Sequence, residues 1–341
     1  MLKKAPIDMF PTDFAVSINN VTKTFTQWQR DNTGAGLIRN LIKPEKLTIT
    51  ALDDVTFSVR KGEFVAYAGP NGAGKSTTMK LLGGMLLPNS GNISVLSLSP
   101  QKQRTILMQR MGILFGNRTE LWWDHPVIQS FEWKKVVWGI PDELYKQNLA
   151  MVIELLDIGD LLKTFARELS LGQRMKADLA MMLLHSPEII LLDEPTLGLD
   201  VVAKRQMIDF LKRINRDNGV TIIVTSHDMD DLEEMAERIL MISGGKIAFD
   251  GSFNDLRCVT GNLTRVAVTM DKGFIPKIQN CKLLSSENEV FEYDVDLARM
   301  PVRDLLNQLS TVDGVRDIEI RKAPIEQVIA GLYRDWTSGK V

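Results

Sequence analysis

Residues Gly69-Pro70-Asn71-Gly72-Ala73-Gly74-Lys75-Ser76 keep the spacing G-x-x-x-x-G-K-[S/T], and their types suit the holding of a polyphosphate. Glycines let backbone N–H groups converge on phosphate oxygens, and the positive end of a following helix strengthens the field there. Lys75 would add a point charge on the β and γ phosphates, and the Ser76 hydroxyl is a hard oxygen suited to Mg²⁺. Gly69, Asn71, Gly72, Ala73, Gly74, Lys75, Ser76 and Thr77 are therefore the candidate phosphate-binding residues.

A second group of chemically capable residues lies downstream. Ile189-Ile190-Leu191-Leu192-Asp193-Glu194 is an apolar run ending in two carboxylates, and open α/β sheets bind ligands at the carboxyl ends of their strands. Asp193 suits Mg²⁺ held through water, as the equivalent Asp does in P-loop NTPases, and Glu194 can then polarise an attacking water. Ending so apolar a strand in two idle carboxylates would waste its burial. Between the two groups stands Leu169-Ser170-Leu171-Gly172-Gln173, where Ser170 is also a natural helix N-cap.

These residues need elements to position them. Residues 64–68 form a buried strand running into the glycine-rich turn and a helix, and 188–192 and 220–225 are further short apolar strands. A helical pattern over 203–215 separates the last two, so strands alternate with helices and a mainly parallel α/β sheet is expected. Residues 14–18 with Val21 read as a first strand ending at Lys23-Thr24-Phe25, and 51–59 as an edge strand. Between them, 26–50 reads as a polar insertion whose segment 37–43 has helical apolar spacing, suited to a surface helix or to lying on a membrane or partner. From about Cys258 a smaller unit follows, with strands at 263–270, 290–295 and 315–320 and helices at 301–309 and 324–336. In the last of these Ile325, Val328, Ile329, Leu332 and Trp336 share a face.

Length and composition bound the reading. At 341 residues, 44% hydrophobic and 25% charged, the chain excludes disordered, collagen-like and disulfide-scaffold classes and is long enough for two domains. Forty-one Lys and Arg against 43 Asp and Glu leave a net charge of -2, too little positive field to favour nucleic acid. Cys258 and Cys281 fit a reducing compartment and are too few for a four-ligand zinc site. No apolar run reaches the roughly 18 to 20 residues of a membrane span, and Lys3 and Lys4 precede no hydrophobic stretch, so neither a span nor a signal peptide is expected.

Over about residues 16–254 the chain resembles the ATPases of ABC transporters. The resemblance rests on the glycine-rich loop, Leu169-Ser170-Leu171-Gly172-Gln173 as a variant signature, Asp193-Glu194, Gly198-Leu199-Asp200, and His227 within Thr225-Ser226-His227-Asp228, all in family order. It implies a P-loop NTPase fold of α/β class with a helical subdomain at about 118–186, the whole cassette occupying 1–257, and a small α+β accessory or dimerisation domain at 258–341. It also implies a head-to-tail dimer, homodimeric with two sites, in which ATP on Lys75 and Ser76 of one subunit is closed by Ser170, Gly172 and Gln173 of the other. Glu194, His227 and Lys75 would be catalytic, Phe25 would stack on adenine with Trp28 as its substitute, and Ser76, Asp193 and Asn117 would face Mg²⁺.

Residues 111–124 further resemble the branch serving ABC-2-type exporters, where glutamine is usual at the position of Asn117. Trp122 and Trp123 would then meet a separate membrane permease or join the core, and Trp133 and Trp138 would be core. His185 reads as a helix-end histidine without catalytic part. The resulting expectation is a peripheral ATPase subunit on the cytoplasmic face of the membrane powering export. The alternatives are an importer subunit with a regulatory C-terminal domain and a soluble ABC ATPase not coupled to transport.

Overall fold

Phe64, Val65, Ala66, Tyr67 and Ala68 are all buried, the burial expected of a strand covered on both faces. In the computed structural model, which describes residues 13–29, 45–115, 118–259, 263–276, 278–279, 281–296, 299–322 and 329, they form the third strand of a two-unit chain. The units divide between Asp250 and Gly251, slightly before the boundary read from sequence, because the helix Phe253–Val259 groups with the second unit.

In the first unit the order is β1 (Phe14–Gln29), β2 (Glu45–Arg60), β3 (Phe64–Ala68), α1 (Lys75–Leu82), β4 (Ser90–Val95), α2 (Arg104–Met108) and β5 (Met111–Phe115). Three helices follow: α3 (Val127–Trp138), α4 (Asp142–Leu156) and α5 (Leu171–Leu183). Then come β6 (Ile189–Asp193), α6 (Val201–Asn218), β7 (Thr221–Thr225), α7 (Met229–Met235), β8 (Arg238–Ser243) and β9 (Lys246–Ser252). The six-stranded sheet runs β5-β6-β7-β3-β8-β9, and its β5-β6, β6-β7, β7-β3 and β3-β8 pairs are parallel, as the alternating pattern predicted.

A second sheet, β2-β1-β4, is antiparallel. Its inward residues Val16, Ile18, Leu52, Val55, Phe57 and Val95 join Tyr67, Met79, Leu81, Leu191 and Leu240 in one core around α1. Each such side chain contributes roughly 1.5–3 kcal/mol by leaving water. The core thus clamps the turn between β3 and α1 from two sides.

The sheet also corrects the ends of the polar insertion read at 26–50. Pairing continues from Phe25↔Ile49 through Gln29↔Glu45, so both arms are strands, with Thr26, Thr48 and Thr50 exposed on them. The helix read at 37–43 lies outside the described residues.

The second unit comprises α8 (Phe253–Val259), β10 (Leu263–Met270), β11 (Lys282–Glu287), β12 (Val290–Asp296), α9 (Val302–Ser310) and β13 (Val315–Lys322), with antiparallel sheet order β11-β12-β10-β13. Alternate residues Phe291, Tyr293 and Val295 of β12 pack with Val266, Val268, Leu305 and Leu309, the period of two that a half-covered sheet requires. Of the helix read at 324–336 only Ile329 is described, and it is buried. Among the described residues no helix is long and apolar enough to cross a membrane.

Candidate active site

The glycine-rich loop is shaped by contacts that forbid side chains. A Cβ on Gly69 would stand 2.3 Å from the Ile242 carbonyl oxygen of β8, and one on Gly74, whose φ is +116°, would stand 2.6 Å from the Ala51 oxygen of β2. The loop therefore lies directly on the backbones of both sheets. Within it Ala73 N–H donates to Pro70 O at 3.1 Å, and Thr78 Oγ1 donates to Gly74 O at 3.1 Å. Tyr67 Oη in turn donates to Thr78 Oγ1 at 3.1 Å, so β3 and α1 are joined beneath the loop.

Replacing Gly69 by Ala should cost about 1–3 kcal/mol by overpacking and lower nucleotide affinity as the loop shifts. Gly72→Ala has open space around its Cβ, and only its φ of +79° opposes it. Thermal melts and nucleotide titration should rank Gly69→Ala as the more damaging of the two; the reverse order would contradict this account of the loop.

Lys75, only 6% exposed, folds back over the loop, its Nζ donating to Gly69 O at 2.6 Å and Pro70 O at 3.3 Å. Burial holds its ammonium below the usual lysine range, while the charges of Glu194 and Asp193 pull it back up. The structure thus brings the two sequence-derived groups within electrostatic reach of each other. Asn71, Gly72 and Ser76 are exposed at the mouth, Thr77 is half-buried, and Ala73 lies in the core.

At the end of β6 a third residue organises the carboxylates. Thr225 pairs with Asp193 in register. Its Oγ1 donates to Asp193 Oδ1 at 2.7 Å and accepts from Glu194 N–H at 3.1 Å. Glu194 N–H also reaches Thr225 O at 3.1 Å. Glu194 occupies a left-handed backbone conformation, φ 58°, which costs about 1–3 kcal/mol for a residue with a Cβ and turns its side chain out of the strand direction. Its Oε1 meets His227 Nε2 at 2.6 Å, so the carboxylate is held by an imidazole N–H. Sequence reasoning missed Thr225 in this part; a hydroxyl at the same strand-end level as Asp193 was the available signal.

Side-chain capping explains the start of α5 in its own right, with Ser170 as the cap. Its Oγ accepts from Gln173 N–H at 3.2 Å and Gln173 Oε1 accepts from Ser170 N–H at 2.9 Å, a complete capping box. The Ser170 hydroxyl proton and the first N–H groups of α5 are left as donors at a helix N-terminus. The neighbours of this segment are in the Gly198–Asp200 turn and the start of α6 rather than in the glycine-rich loop: a Cβ on Gly198 would stand 2.8 Å from Leu171, and one on Gly172 3.8 Å from Leu199 and 3.4 Å from Ala203. One chain therefore groups Lys75, Asp193, Glu194 and His227 and leaves Ser170, Gly172 and Gln173 elsewhere.

Phe25 is half-buried beside Lys23, whose Nζ lies 5.2 Å from the ring centroid. It pairs with Ile49, two positions from the Ala51 carbonyl that abuts Gly74. The side chain of Trp28, and Asn117 altogether, lie outside the described residues.

Trp122 and Trp123 are 39% and 49% exposed. Trp133 and Trp138 are half-buried rather than core, because they continue a tilted aromatic string from Trp122 to His185 along one side of α3. Burial, with the Lys134 charge nearby, pushes the His185 imidazole down to about 4, and its Nε2 bonds to Met111 O at 3.1 Å. A neutral, backbone-tied histidine fits the structural part expected of it.

The donor set for a divalent cation is small. Among the described residues no three His, Cys, Asp or Glu side chains cluster as metal ligands, and Ser76 with Asp193 offers two hard oxygens. That fits Mg²⁺, which keeps waters and takes substrate phosphates rather than an all-protein cage.

The chain is similar in sequence and in fold to known proteins. A family model described as ABC transporter matches residues 52–197. The ABC transporter ATP-binding protein NatA of Bacillus subtilis is 30% identical over 212 residues, 62% of this chain and 86% of that protein. YhcH, an ABC transporter ATP-binding protein of the same organism, is 33% identical over 58% of this chain and 64% of its own length. The chain spans only 39% to 50% of several longer ABC transporter ATP-binding proteins. In fold it is similar to the dimeric, post-hydrolysis ATP-binding cassette MJ0796 bound to ADP and Pi, with TM-score 0.57 and 24% identity over 70% of this chain and 98% of that one.

Proposed function

Because the chain belongs to the ABC transporter family of ATP-binding proteins, a family of ATPases, we propose that the ATP it binds and hydrolyses drives export through a separate ABC-2-type permease. The observation that carries the ATPase part is the grouping of Lys75, Asp193 and the Glu194–His227 pair at one end of the six-stranded sheet. In this reading the loop N–H groups and Lys75 bind the β and γ phosphates, with Lys75 exchanging its Gly69 and Pro70 carbonyls for phosphate oxygens. Ser76 and Asp193 would hold Mg²⁺, which when bound counters phosphate charge; Asn117 is the proposed further contact. Phe25 stacks on the adenine.

Glu194 then accepts a hydrogen bond from the attacking water and His227 fixes the carboxylate through Oε1. Water oxygen bonds to the γ-phosphorus as the bond to the bridging oxygen breaks, one water proton passing to the Glu194 carboxylate and from there to solvent, leaving ADP and phosphate. Most of the catalysis is positioning and charge stabilisation, as phosphoryl transfer requires. Because Ser170, Gly172 and Gln173 stand apart from Lys75 in one chain, a second copy placed head to tail supplies them, giving a homodimer with two sites.

The export reading is supported by the resemblance of residues 111–124 to the ABC-2 branch and by the exposed Trp122 and Trp123, since exposed tryptophans mark interfaces. It places the chain peripherally on the cytoplasmic face. The second unit is proposed as a dimer contact or regulatory element. Affinity capture from detergent-solubilised native membranes tests the whole reading. Recovery of an integral ABC-2-type permease, lost on Trp122→Ala/Trp123→Ala and weakened in dimeric yield on deleting 262–341, is expected. Capture without a membrane protein would favour a soluble ATPase, and a permease of importer topology would reverse the direction.

A further inference from the structure

Asp178 is a carboxylate on the buried face of α5, between Ala177 and Leu179, and is only 6% exposed. Burying a charge there is costly unless something compensates it. The compensation comes from another part of the chain: Thr119 Oγ1 donates to Asp178 Oδ1 at 2.8 Å and Glu120 N–H donates to the same oxygen at 3.1 Å. Burial nonetheless pushes the carboxyl up to about 6 against the pull of those two bonds.

Thr119 and Glu120 lie just beyond β5, whose last residue Phe115 pairs in register with Asp193. The same short segment is fixed on its other side. Thr119 Oγ1 accepts from Leu121 N–H at 3.1 Å, Glu120 reaches Lys134 Nζ of α3 at 3.1 Å, and Trp122 N–H donates to Ser130 Oγ at 2.9 Å. Asp178 thereby joins the helix that begins at Ser170 to the segment that leaves the sheet beside Asp193.

We propose that Asp178 is a positioning residue that sets the signature end of α5 relative to the nucleotide-bearing sheet, so that the Ser170 donors meet a phosphate held by a second copy. The inference rests on the head-to-tail reading above. It makes a specific division of effects. A misplaced α5 does not touch the nucleotide that its own chain binds through Lys75; it acts only when two chains close on ATP.

The test uses the full chain carrying Glu194→Gln, with ATP-driven dimerisation read by light scattering and monomer affinity by a fluorescent ATP analogue at dilution. Asp178→Leu should raise the ATP concentration for half-dimerisation by about ten-fold or more, the loss of hydrogen bonds to a charged group, and leave monomer affinity within about two-fold. Asp178→Asn keeps an acceptor at Oδ1 and should restore closure, which a requirement for charge alone would not allow. Thr119→Val removes one donor from the opposite side without altering α5 and should shift closure in the same direction, so the inference is testable even where Asp178→Leu fails to fold. Unchanged closure in both Asp178→Leu and Thr119→Val, or an equal loss of monomer affinity, overturns it. Failure of Glu194→Gln itself to dimerise with Asp178 intact overturns the head-to-tail reading together with this inference.

Discussion

Glu194→Gln retains ATP binding and loses hydrolysis by roughly 10²- to 10⁴-fold, the usual range for removing a positioned general base. The amide matches the carboxylate in shape, so the left-handed backbone at Glu194 and its bonds to Thr225 are undisturbed. What changes is the group facing the water: an amide oxygen is too weakly basic to take up the proton that the attacking water loses. His227 Nε2, 2.6 Å from Oε1, can still donate to an amide oxygen, so the pair stays assembled and catalytically idle. Phosphate release should collapse while ATP-bound dimer accumulates on size exclusion. Steady-state release within a few-fold of the parent would remove Glu194 from the role assigned to it.

Lys75→Met is expected to separate stability from function in the opposite way. The side chain is buried and its ammonium is held below its usual range chiefly by that burial. A thioether of similar length relieves the desolvation of the ammonium, which offsets the cost of leaving the buried Gly69 carbonyl without its donor, while Pro70 is exposed. Melting temperature should therefore move little.

ATP affinity should fall by about 10²-fold or more, because charge-assisted hydrogen bonds to phosphate are worth roughly 1.5–3 kcal/mol each. Calorimetric titration beside a thermal melt checks both halves. A variant with near-parental affinity would show that the loop N–H groups alone hold the phosphates. A variant that unfolds would show that the lysine is a structural clamp on Gly69 and Pro70.

The parts of the fold legible in sequence were those where burial and chemistry coincide in a short run. Phe64 to Ala68 and Ile189 to Asp193 are apolar strands that stop at residues able to bind phosphate or metal, and the parallel sheet followed from them. The antiparallel sheet was harder. β4 hides Gly91 and Asn92 in its exposed half, the ribbon arm at 26–29 is mostly Thr and Gln, and the arm at 45–50 offers only Leu47 and Ile49 as a short alternation. β11 has mostly exposed residues and enters its hairpin through Asn288 and Glu289, both at positive φ without glycine, so the usual turn signature is missing.

Within the site, single residues with motif spacing were legible and their partners were not. Thr225 acts through register between two strands, and Asp178 through a contact 58 to 59 positions away in sequence. Neither relation has a local pattern. The aromatic string from Trp122 to His185 is similar: Trp133 and Trp138 read as core of the helical subdomain, but α3 is covered on one side only.

The capping box at Ser170 and Gln173 has a kinetic consequence. Because the first turn of α5 is already closed by its own side chains, its donors need no local ordering when a phosphate arrives. In the dimer proposed here, the ordering entropy that slows coupled folding and binding is absent from this half of the site. Closure would then proceed at the pace at which two preformed surfaces meet, and variants that open the box, such as Gln173→Ala, would slow the encounter step before they weakened the closed state.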